Sequence, residues 1–339
     1  MTDRCPISFV VVNWHEDQAT RVCLASIRAS VGDRAAEIVV VDNGRRTRDG
    51  RRSRFGPGVV VVNNGRNRGF AGGANDGWRR STGSVIALIN NDCHLGRDWL
   101  VAGLATLDDP TVGVVGGPEY AWDDFHVLGD TSSPRRTVVT VDTRLGFSVL
   151  GNAEPPGPIA VGSLNGSNLL ARRDVLESLG GFDEQFFAYY EDADLCARVL
   201  ALGWRLVYNP AMAVWHRNGL TSRRHPLRTA YLARRNHLLF VARHFPDRSY
   251  PRTIARNCQE YLASAISGSV GGLRGRLAGV GLLTGAERLA CVGATCWPAV
   301  AWPRMRRSRR QLVHSGQHDE SYLSKLAVLQ STDAVGIVR

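Results

Sequence analysis

Lysine is almost absent from the sequence: Lys325 is its one lysine, so arginine carries nearly all of the formal net charge of +11. A basic chain has three classes of partner, namely nucleic acid, an anionic membrane surface and acidic small molecules such as diphosphates. Paired cysteines are also lacking. The seven cysteines are scattered without a C-x-x-C pair, which indicates reduced thiols rather than a disulfide framework or a zinc knuckle.

The N-terminus lacks the basic start, apolar stretch and cleavage site of a signal peptide, so we expect a cytoplasmic protein. Residues 289–303 are uncharged but too short to span a bilayer, and five arginines follow directly at 304, 306, 307, 309 and 310. Two interpretations stay open. Either this region is an interfacial anchor at the inner face of the membrane, or it is a buried helix with a solvated basic tail.

Short β-branched runs alternate with helical segments in the first part of the chain. The predicted strands are 7–12, 38–41, 59–63 and 85–89, and the predicted helices are 18–29 and 74–80, with a glycine-rich turn over 65–73. This alternation predicts right-handed crossovers and a mostly parallel sheet within one large α/β domain. Residues 118–158 are rich in proline, glycine and charge, and predict a long acceptor-side connection containing one hairpin.

Polar residues follow the predicted strands at the edge where ligands of such sheets bind: Asn13, Asp42, Asn63 and Asp92. A carboxylate at Asp42 suits the imide N–H of uracil or thymine, although Asp-Asn-Gly is equally typical of a turn. The glycines of 67–75 allow close backbone approach to an anion at a helix start. This segment lacks the G-x-G-x-x-G spacing, which argues against an NAD enzyme. Asp92 is a hard oxygen ligand suited to Mg²⁺ or Mn²⁺.

The acidic cluster at 191–194 is the strongest candidate for acid–base chemistry. We assign Asp192 as the base for an acceptor hydroxyl, with Glu191 orienting the site or contacting the acceptor. Asp194 is four residues before Arg198 and is expected to pair with it. The alternative is that these carboxylates only cap a helix. His216 is a second metal ligand, a diphosphate contact or a structural histidine.

Seven motifs, taken in order, resemble family 2 glycosyltransferases, above all their rhamnosyltransferase-like and galactofuranosyltransferase-like branch. They are VVNWHE (11–16), VVVDNG (39–44), NRGFAGGAN (67–75), INND (89–92), GSNLLARR (166–173), GGFDEQFFAYYEDADLCAR (180–198) and PAMAVWH (210–216). The resemblance covers residues 5–245 and implies a GT-A fold, with a mostly parallel Rossmann-like sheet flanked by helices and a C-terminal helical extension. It divides the chain into a nucleotide-binding half (1–95), an acceptor-binding half (96–245) and a basic extension (246–339).

The resemblance also implies an inverting, metal-dependent transferase that uses Mg²⁺ or Mn²⁺ and a nucleotide-diphosphate sugar, with dTDP-rhamnose, other dTDP-sugars and UDP-sugars as donors. Metal binding is assigned to Asp92 and His216. The donor-binding assignments are Asn13, Asp42, Asn43, Asn67, Gly69, Phe70, Gly72, Asn75, Asn90 and Asn91. One departure is that Asn90-Asn91-Asp92 stands where many relatives carry two acids, so Asp92 is the one carboxylate of this motif.

The acceptor is a hydroxyl of a glycan, a lipid-linked sugar or a small molecule, and the sequence leaves homo-oligomerisation and membrane contact open. The alternative is a non-catalytic sugar-nucleotide or polyanion-binding protein of the same fold. We expect no nucleic-acid partner, because the aromatic residues show no stacking motif.

Overall fold

The computed structural model describes residues 6–44, 52–122, 138–141, 148–150, 155–217, 224–245, 250–268 and 283–317. The strands are β1 (Ile7–Asn13), β2 (Ala36–Asp42), β3 (Val59–Asn63), β4 (Val85–Asn90), β5 (Cys93–Leu95), β6 (Val112–Gly116), β7 (Glu119–Ala121), β8 (Val138–Val141), β9 (Ser148–Leu150), β10 (Ile159–Val161), β11 (Asn168–Arg172), β12 (Arg205–Tyr208) and β13 (Val214–His216). The helices are α1 (Asp17–Val31), α2 (Gly69–Arg80), α3 (Trp99–Leu107), α4 (Arg173–Leu179), α5 (Glu191–Ala201), α6 (Pro226–His244), α7 (Tyr250–Ser267) and α8 (Gly285–His314).

The central sheet has eight strands in the order β10-β12-β6-β11-β4-β1-β2-β3. Strands β3, β2, β1 and β4 are parallel neighbours, whereas β11 is antiparallel to both β4 and β6, and β10 is antiparallel to β12. The predicted mostly parallel sheet and its first four strands are therefore confirmed. Helices cover both faces, because Phe9 and Val11 pack with α1 and α3 while Val10 packs with α2.

The predicted turn over residues 65–73 is wrong in its second half, because α2 already begins at Gly69. The glycines of this helix serve its packing against the sheet. A Cβ on Gly73 would lie 2.7 Å from Cγ1 of Val12, and one on Gly77 would collide with Val10. The glycine run, typical of a turn, here brings a helix unusually close to β1.

A second sheet of three short strands lies beyond the carboxyl end of β4, in the order β5-β13-β7. Strand β13 is antiparallel to β5 and parallel to β7, which sets His216 opposite Cys93 on one side and Ala121 on the other. The small sheet thus brings three distant parts of the chain to one place. Strands β8 and β9 form the hairpin predicted within the 118–158 connection.

The helices α6, α7 and α8 form a third apolar core beside the α/β domain, in which Phe240, Tyr261 and Met305 are buried. The capping box of Thr284 and Glu287 begins α8, which continues through Pro298 and Pro303. Among the residues that the structure describes, no helix is long and apolar enough to cross a bilayer. The expected C-terminal helical extension is present.

Candidate active site

Three side chains that are far apart in the sequence meet at the carboxyl edge of the central sheet. Nε2 of His216 lies 2.9 Å from Oδ1 of Asp92, and its Nδ1 lies 2.8 Å from Oε1 of Glu119. Asp92 follows β4, Glu119 begins β7 and His216 ends β13, so the small sheet aligns them. The imidazole is therefore held between two carboxylates.

The two carboxylates determine the charge of His216. Burial alone would lower the pKa of the imidazole, but the hydrogen bonds and negative charges of Asp92 and Glu119 outweigh it and raise the pKa to about 10. The same carboxylates favour any cation between them. A cation bound at Asp92 and His216 would replace the proton on Nε2, and the two carboxylates would favour it as they favour the imidazolium.

The chemistry of these side chains fits a divalent cation. Octahedral ligands about 2.1 Å from a metal lie about 3 Å apart when adjacent, which matches the 2.9 Å between Asp92 and His216. The carboxylate of Asp92 suits Mg²⁺ or Mn²⁺, whereas an imidazole is more typical of zinc, copper, iron or nickel sites. Cys93 lies close enough to be a third ligand. Burial first and the charge of Asp92 second raise the pKa of its thiol well above the ordinary value.

Asp192 lies in the first turn of α5, where backbone N–H groups surround its carboxylate. The N–H of Gly166 donates to Oδ2 at 2.9 Å, and the N–H of Ala193 donates to Oδ1 at 2.8 Å. Burial, the largest effect, raises the pKa of Asp192 and the charge of Glu119 raises it further, against these hydrogen bonds. A carboxylate with a raised pKa, held at a helix start, has the properties of a general base.

A single loop connects Asp192 to the Asp92–His216 pair. The side chains of Asn165 and Ser167 both donate to Oε2 of Glu119, the latter at 3.1 Å, while Gly166 between them binds Asp192. The loop between β10 and β11 thus contacts both halves of the site.

Glu191 and Asp194 flank Asp192 but have different surroundings. Within the part of the chain that the structure describes, Oε2 of Glu191 is buried without a hydrogen-bond partner. Burial followed by the charge of Asp192 raises the pKa of Glu191 well above its ordinary value. Asp194 pairs with Arg198 at 2.8 Å, as predicted, and also with Arg243 and His244. Despite burial, these cations hold the pKa of Asp194 well below its ordinary value. Asp194 therefore holds α5 in place through its ion pairs, whereas the carboxyl group of Glu191 is available to the site.

The chain takes a strained path immediately before α5. Phe187, Tyr189 and Tyr190 all have positive φ angles, of 67°, 72° and 68°. The side-chain amide of Asn236 holds this turn, because it donates to the carbonyls of Phe186, Ala188 and Tyr189 at 2.7–2.8 Å. Such strain persists only where surrounding contacts fix it, and it is typical of functional sites.

Gly69, one of the predicted donor-binding residues, accommodates this turn. It has a φ of +73°, and a Cβ at this position would collide with the carbonyl of Phe187. The N–H of Ala71 donates to the same carbonyl at 3.1 Å. The glycine-rich start of α2 therefore contacts the turn that leads into α5, the helix that carries the acidic cluster.

Asp42 ends β2 and is almost fully buried. Its carboxylate accepts hydrogen bonds from the N–H of Gly44 at 2.9 Å and from the guanidinium of Arg54, which also pairs with Asp17 at 3.3 Å. The turn geometry expected for Asp-Asn-Gly is present. Asp42 also has a cation beside it, at the sheet edge where a nucleobase is expected.

Most of the predicted donor-binding amides make hydrogen bonds within the protein. Oδ1 of Asn13 accepts from Thr20 at 3.0 Å and from Asn91 at 3.4 Å. Asn43 joins Gly69 to Asn64, with both distances 2.8 Å. These side chains stabilise the ends of β1, β2 and β4 where the predicted donor cleft lies.

The remaining predicted donor-binding residues belong to the segment around α2. Asn67 accepts from the N–H of Gly69 at 2.8 Å, and Asn75 bonds both the N–H and the C=O of Phe182 at 2.9 Å. Phe70 packs edge-on against Phe182, with centroids 5.6 Å apart. The other two assignments are Gly72, where a Cβ would lie 2.8 Å from Cβ of Arg68, and Asn90, whose N–H donates to Ser167 at 3.2 Å.

Sequence reasoning missed Glu119. A signal was available, because Glu119 lies near the end of the buried strand β6, just as Asp42 and Asp92 lie at or near the ends of β2 and β4. Gly117 and Pro118 separate Glu119 from β6, and the region that follows is irregular in composition, so this signal was not recognised. Glu119 is 1% exposed and contacts His216 directly.

The chain matches the family model described as "Glycosyltransferase like family 2" over residues 5–237. It is 44% identical to the N-acetylglucosaminyl-diphospho-decaprenol L-rhamnosyltransferase of Mycobacterium tuberculosis over 71 residues, which are 21% of this chain and 23% of that protein. It is 29% identical to the pre-mycofactocin glycosyltransferase of the same organism over 231 residues, 67% of this chain and 46% of that protein. The matches therefore span less than half the length of these two relatives.

Two solved structures share the fold. One is the mannosyltransferase PcManGT from Pyrobaculum calidifontis in complex with GDP-Man and Mn²⁺, with a TM-score of 0.51 and 20% identity, covering 98% of this chain and 88% of that one. The other is GalNAc-T7 with UDP, GalNAc and Mn²⁺, with a TM-score of 0.61 and 12% identity, covering 98% and 59%. The fold is GT-A, as expected, and the chain belongs to glycosyltransferase family 2.

Proposed function

We propose that this protein transfers a sugar from a nucleotide-diphosphate donor to a hydroxyl acceptor with inversion of the anomeric configuration. The observation that carries the proposal is the loop of residues 165–167. It binds Asp192 through Gly166 and reaches the Asp92–His216 pair through Glu119. A base and a cation-binding pair are thereby linked at one edge of the sheet.

The reaction is a single in-line displacement. Asp192 accepts the proton of the acceptor hydroxyl, the hydroxyl oxygen forms the new bond to the anomeric carbon, and the nucleoside diphosphate leaves from the opposite side with the bonding electron pair. Asp92 and His216 would hold Mg²⁺ or Mn²⁺, which when bound would stabilise the negative charge of the leaving diphosphate. Glu191, buried beside Asp192, orients this side of the site.

Asp42 supports a uridine or thymidine donor, because a carboxylate at the end of β2 accepts from the imide N–H of these bases. The decaprenol-linked rhamnosyltransferase among the relatives supports dTDP-rhamnose as one donor to test and a lipid-linked sugar as one acceptor.

We also propose that α7 and α8 bind an anionic membrane surface from the cytoplasmic side. Along residues 289–303 of α8 the exposed positions carry no charge and include Leu289, Val292 and Val300, the last 81% exposed. Along residues 304–310 the exposed positions are all arginines: Arg304, Arg306, Arg307 and Arg310. One face of the same helix packs against α6, as the buried-helix interpretation of this region expected.

The neighbouring helix α7 repeats this arrangement. It runs antiparallel to α8, since Arg288 donates to Ala265 at 2.6 Å and Thr295 donates to Cys258 at 3.4 Å. Its exposed Leu262 and Ile266 are therefore near the apolar end of α8, and its exposed Arg252 and Arg256 lie toward the basic end. Exposed apolar side chains next to a cluster of arginines favour contact with an anionic lipid surface, through apolar burial and charge attraction together.

Replacing Asp192 by Asn tests the transfer reaction. The amide keeps the shape of the side chain but cannot accept the proton, so we expect turnover to fall by about 10²–10⁴-fold while donor binding persists. Asp174 is the matched control, because it also lies in the first turn of a helix and accepts from the next N–H, that of Val175, at 2.9 Å. We expect D174N to retain full activity.

A panel of nucleotide sugars provides the assay and the donor. The melting temperature of the protein is measured with each donor, in the presence and absence of Mn²⁺, because specific donor binding raises the melting temperature by mass action. The donors that stabilise the protein are then tested for transfer. A wild-type protein that binds donors but transfers none to any acceptor would support the non-catalytic alternative. Equal activity of D192N and wild type would exclude Asp192 as the base.

A further inference from the structure

Glu119 has an environment that no other acid of the site shares. Its Oε1 accepts from Nδ1 of His216, and its Oε2 accepts from Asn165 and from Ser167. Both oxygens are thus committed to donors on different elements, and the residue is 1% exposed. A buried carboxylate with three donors is fixed in position.

We propose that Glu119 is a positioning residue that fixes the metal-binding face of His216 and, through Asn165 and Ser167, the loop that holds Asp192. The inference rests on the proposed function and extends it. In the proposed reaction Asp92 acts on the leaving group and Asp192 acts on the acceptor. Glu119 contacts both His216, the partner of Asp92, and the loop that holds Asp192, and so sets the distance between them.

The first part of the role concerns the orientation of the imidazole. Because Nδ1–H donates to Glu119, the ring cannot rotate, and Nε2 faces Asp92 as the ligand atom. Histidine ligands of metals generally donate their second N–H to such a partner, and loss of that partner typically weakens metal binding about 10–100-fold. Glu119 is the residue in that place.

The second part concerns the loop. Asn165 and Ser167 bind one oxygen of Glu119, and between them the N–H of Gly166 points at Asp192. Without Glu119 both donors lose their buried acceptor, so the loop is free to shift. A shift moves the hydrogen bond that orients the base, and we expect this to lower kcat even when metal is saturating.

The substitution E119Q separates charge from size. The amide has the same volume, but its NH₂ group must face either His216 or the donors Asn165 and Ser167. Because the amide also lacks the negative charge and has a single acceptor oxygen, both connections are weakened in this variant. The substitution E119D keeps the charge but is shorter by one methylene and cannot reach both sides, which gives a second test if E119Q folds poorly.

Asn165→Ala affects only the loop side, because His216 keeps its contact with Glu119. Glu37 provides the matched control for a carboxylate with several donors. It accepts from Ser8 at 2.6 Å and from the N–H of Thr82 at 2.7 Å, at the start of β1 and β2 and away from the site. Melting temperatures of E119Q, E119D, N165A and E37Q establish that each variant folds.

Binding of Mn²⁺ to each protein is measured by electron paramagnetic resonance of the free ion, without any donor. We expect E119Q and E119D to bind Mn²⁺ about 10–100-fold more weakly than wild type. We expect N165A and E37Q to bind like wild type. At saturating Mn²⁺, kcat should be reduced in E119Q and N165A and unchanged in E37Q.

Unchanged Mn²⁺ affinity in both E119Q and E119D would overturn the role of Glu119, even if the wild type transfers sugar as proposed. If E119Q and E119D bind Mn²⁺ more weakly but kcat is unaffected in N165A, the loop connection alone is overturned. Absence of Mn²⁺ binding and of transfer in the wild type would overturn the proposed function together with this inference.

Discussion

The backbone N–H of Gly166 donates a 2.9 Å hydrogen bond to Oδ2 of Asp192, so the loop before β11 holds the carboxylate at the start of α5. The approach is close, since a Cβ on Gly166 would lie 3.0 Å from Cβ of Asp192. The position of the proposed base is therefore set by a residue without a side chain.

Substituting Gly166 by Ala should displace Asp192 from its place. A misplacement of about 1 Å can reduce a rate about 10²-fold, so we expect kcat to fall by up to that factor while Mn²⁺ binding is unchanged. Steady-state kinetics at saturating donor measures the effect. Gly157→Ala is the control, because a Cβ there meets no atom within 4 Å. Equal losses in both variants would contradict the argument.

The activity should depend on pH through the ionisation of Asp192. Burial raises the pKa of this carboxyl above its ordinary value, and only the ionised form accepts a proton. Activity is therefore present above the raised pKa and lost as the pH falls through it. A profile of kcat against pH, with donor, acceptor and metal saturating, should show an acid limb above the ordinary aspartate value of about 3.9. An acid limb at or below that value would contradict the assignment.

Asn236 should stabilise the strained turn before α5. Replacing it by Ala removes a side-chain donor from three carbonyls. The carbonyl of Phe186 still accepts from Ala188 and Arg235, whereas those of Ala188 and Tyr189 lose this hydrogen bond. We expect a loss of about 1–3 kcal/mol in the free energy of unfolding, measured with urea, and a lower kcat, because the turn leads into Glu191 and Asp192. Asn257, also buried and on α7, donates to the carbonyl of Thr253 at 2.9 Å. N257A should lower the free energy of unfolding without affecting kcat. A lower kcat in N257A but not in N236A would contradict the proposal.

The order of motifs and the parallel strands could be predicted because they depend on local patterns. Runs such as 38–41 and 85–89 are apolar and β-branched throughout, and each ends in polar residues. The start of α2 could not be predicted, because its first five residues are glycine-rich and this composition is typical of a turn. Only the structure shows that the glycines let the helix pack closely against β1. Packing between distant elements decided that helix.

Glu119 could not be placed for a similar reason. Its role depends on β13 lying between β5 and β7, a register that joins residues about a hundred positions apart. No local pattern encodes that pairing. His216 was identified as a metal-ligand candidate, but the partner that orients it was visible only in three dimensions.

Vesicle binding tests the proposed membrane surface. Cosedimentation with vesicles containing phosphatidylglycerol, compared with phosphatidylcholine alone, should show binding that depends on anionic lipid and weakens with salt. Replacing Arg306 and Arg307 by Gln should weaken it by about 1 kcal/mol for each arginine. Neither arginine forms an ion pair with a carboxylate in the described part of the chain, so the fold should be unaffected.

The apolar part of the same surface is tested by Val300→Asp. Val300 is 81% exposed, so the charge costs little in the free protein but opposes insertion between lipids. We expect V300D to lose vesicle binding and keep its transferase activity toward a water-soluble acceptor. Val101→Ser, on α3 and 46% exposed, is the control and should bind like wild type. If sedimentation instead shows a dimer that V300D dissociates, a second copy of the chain covers this face, and the membrane proposal is wrong.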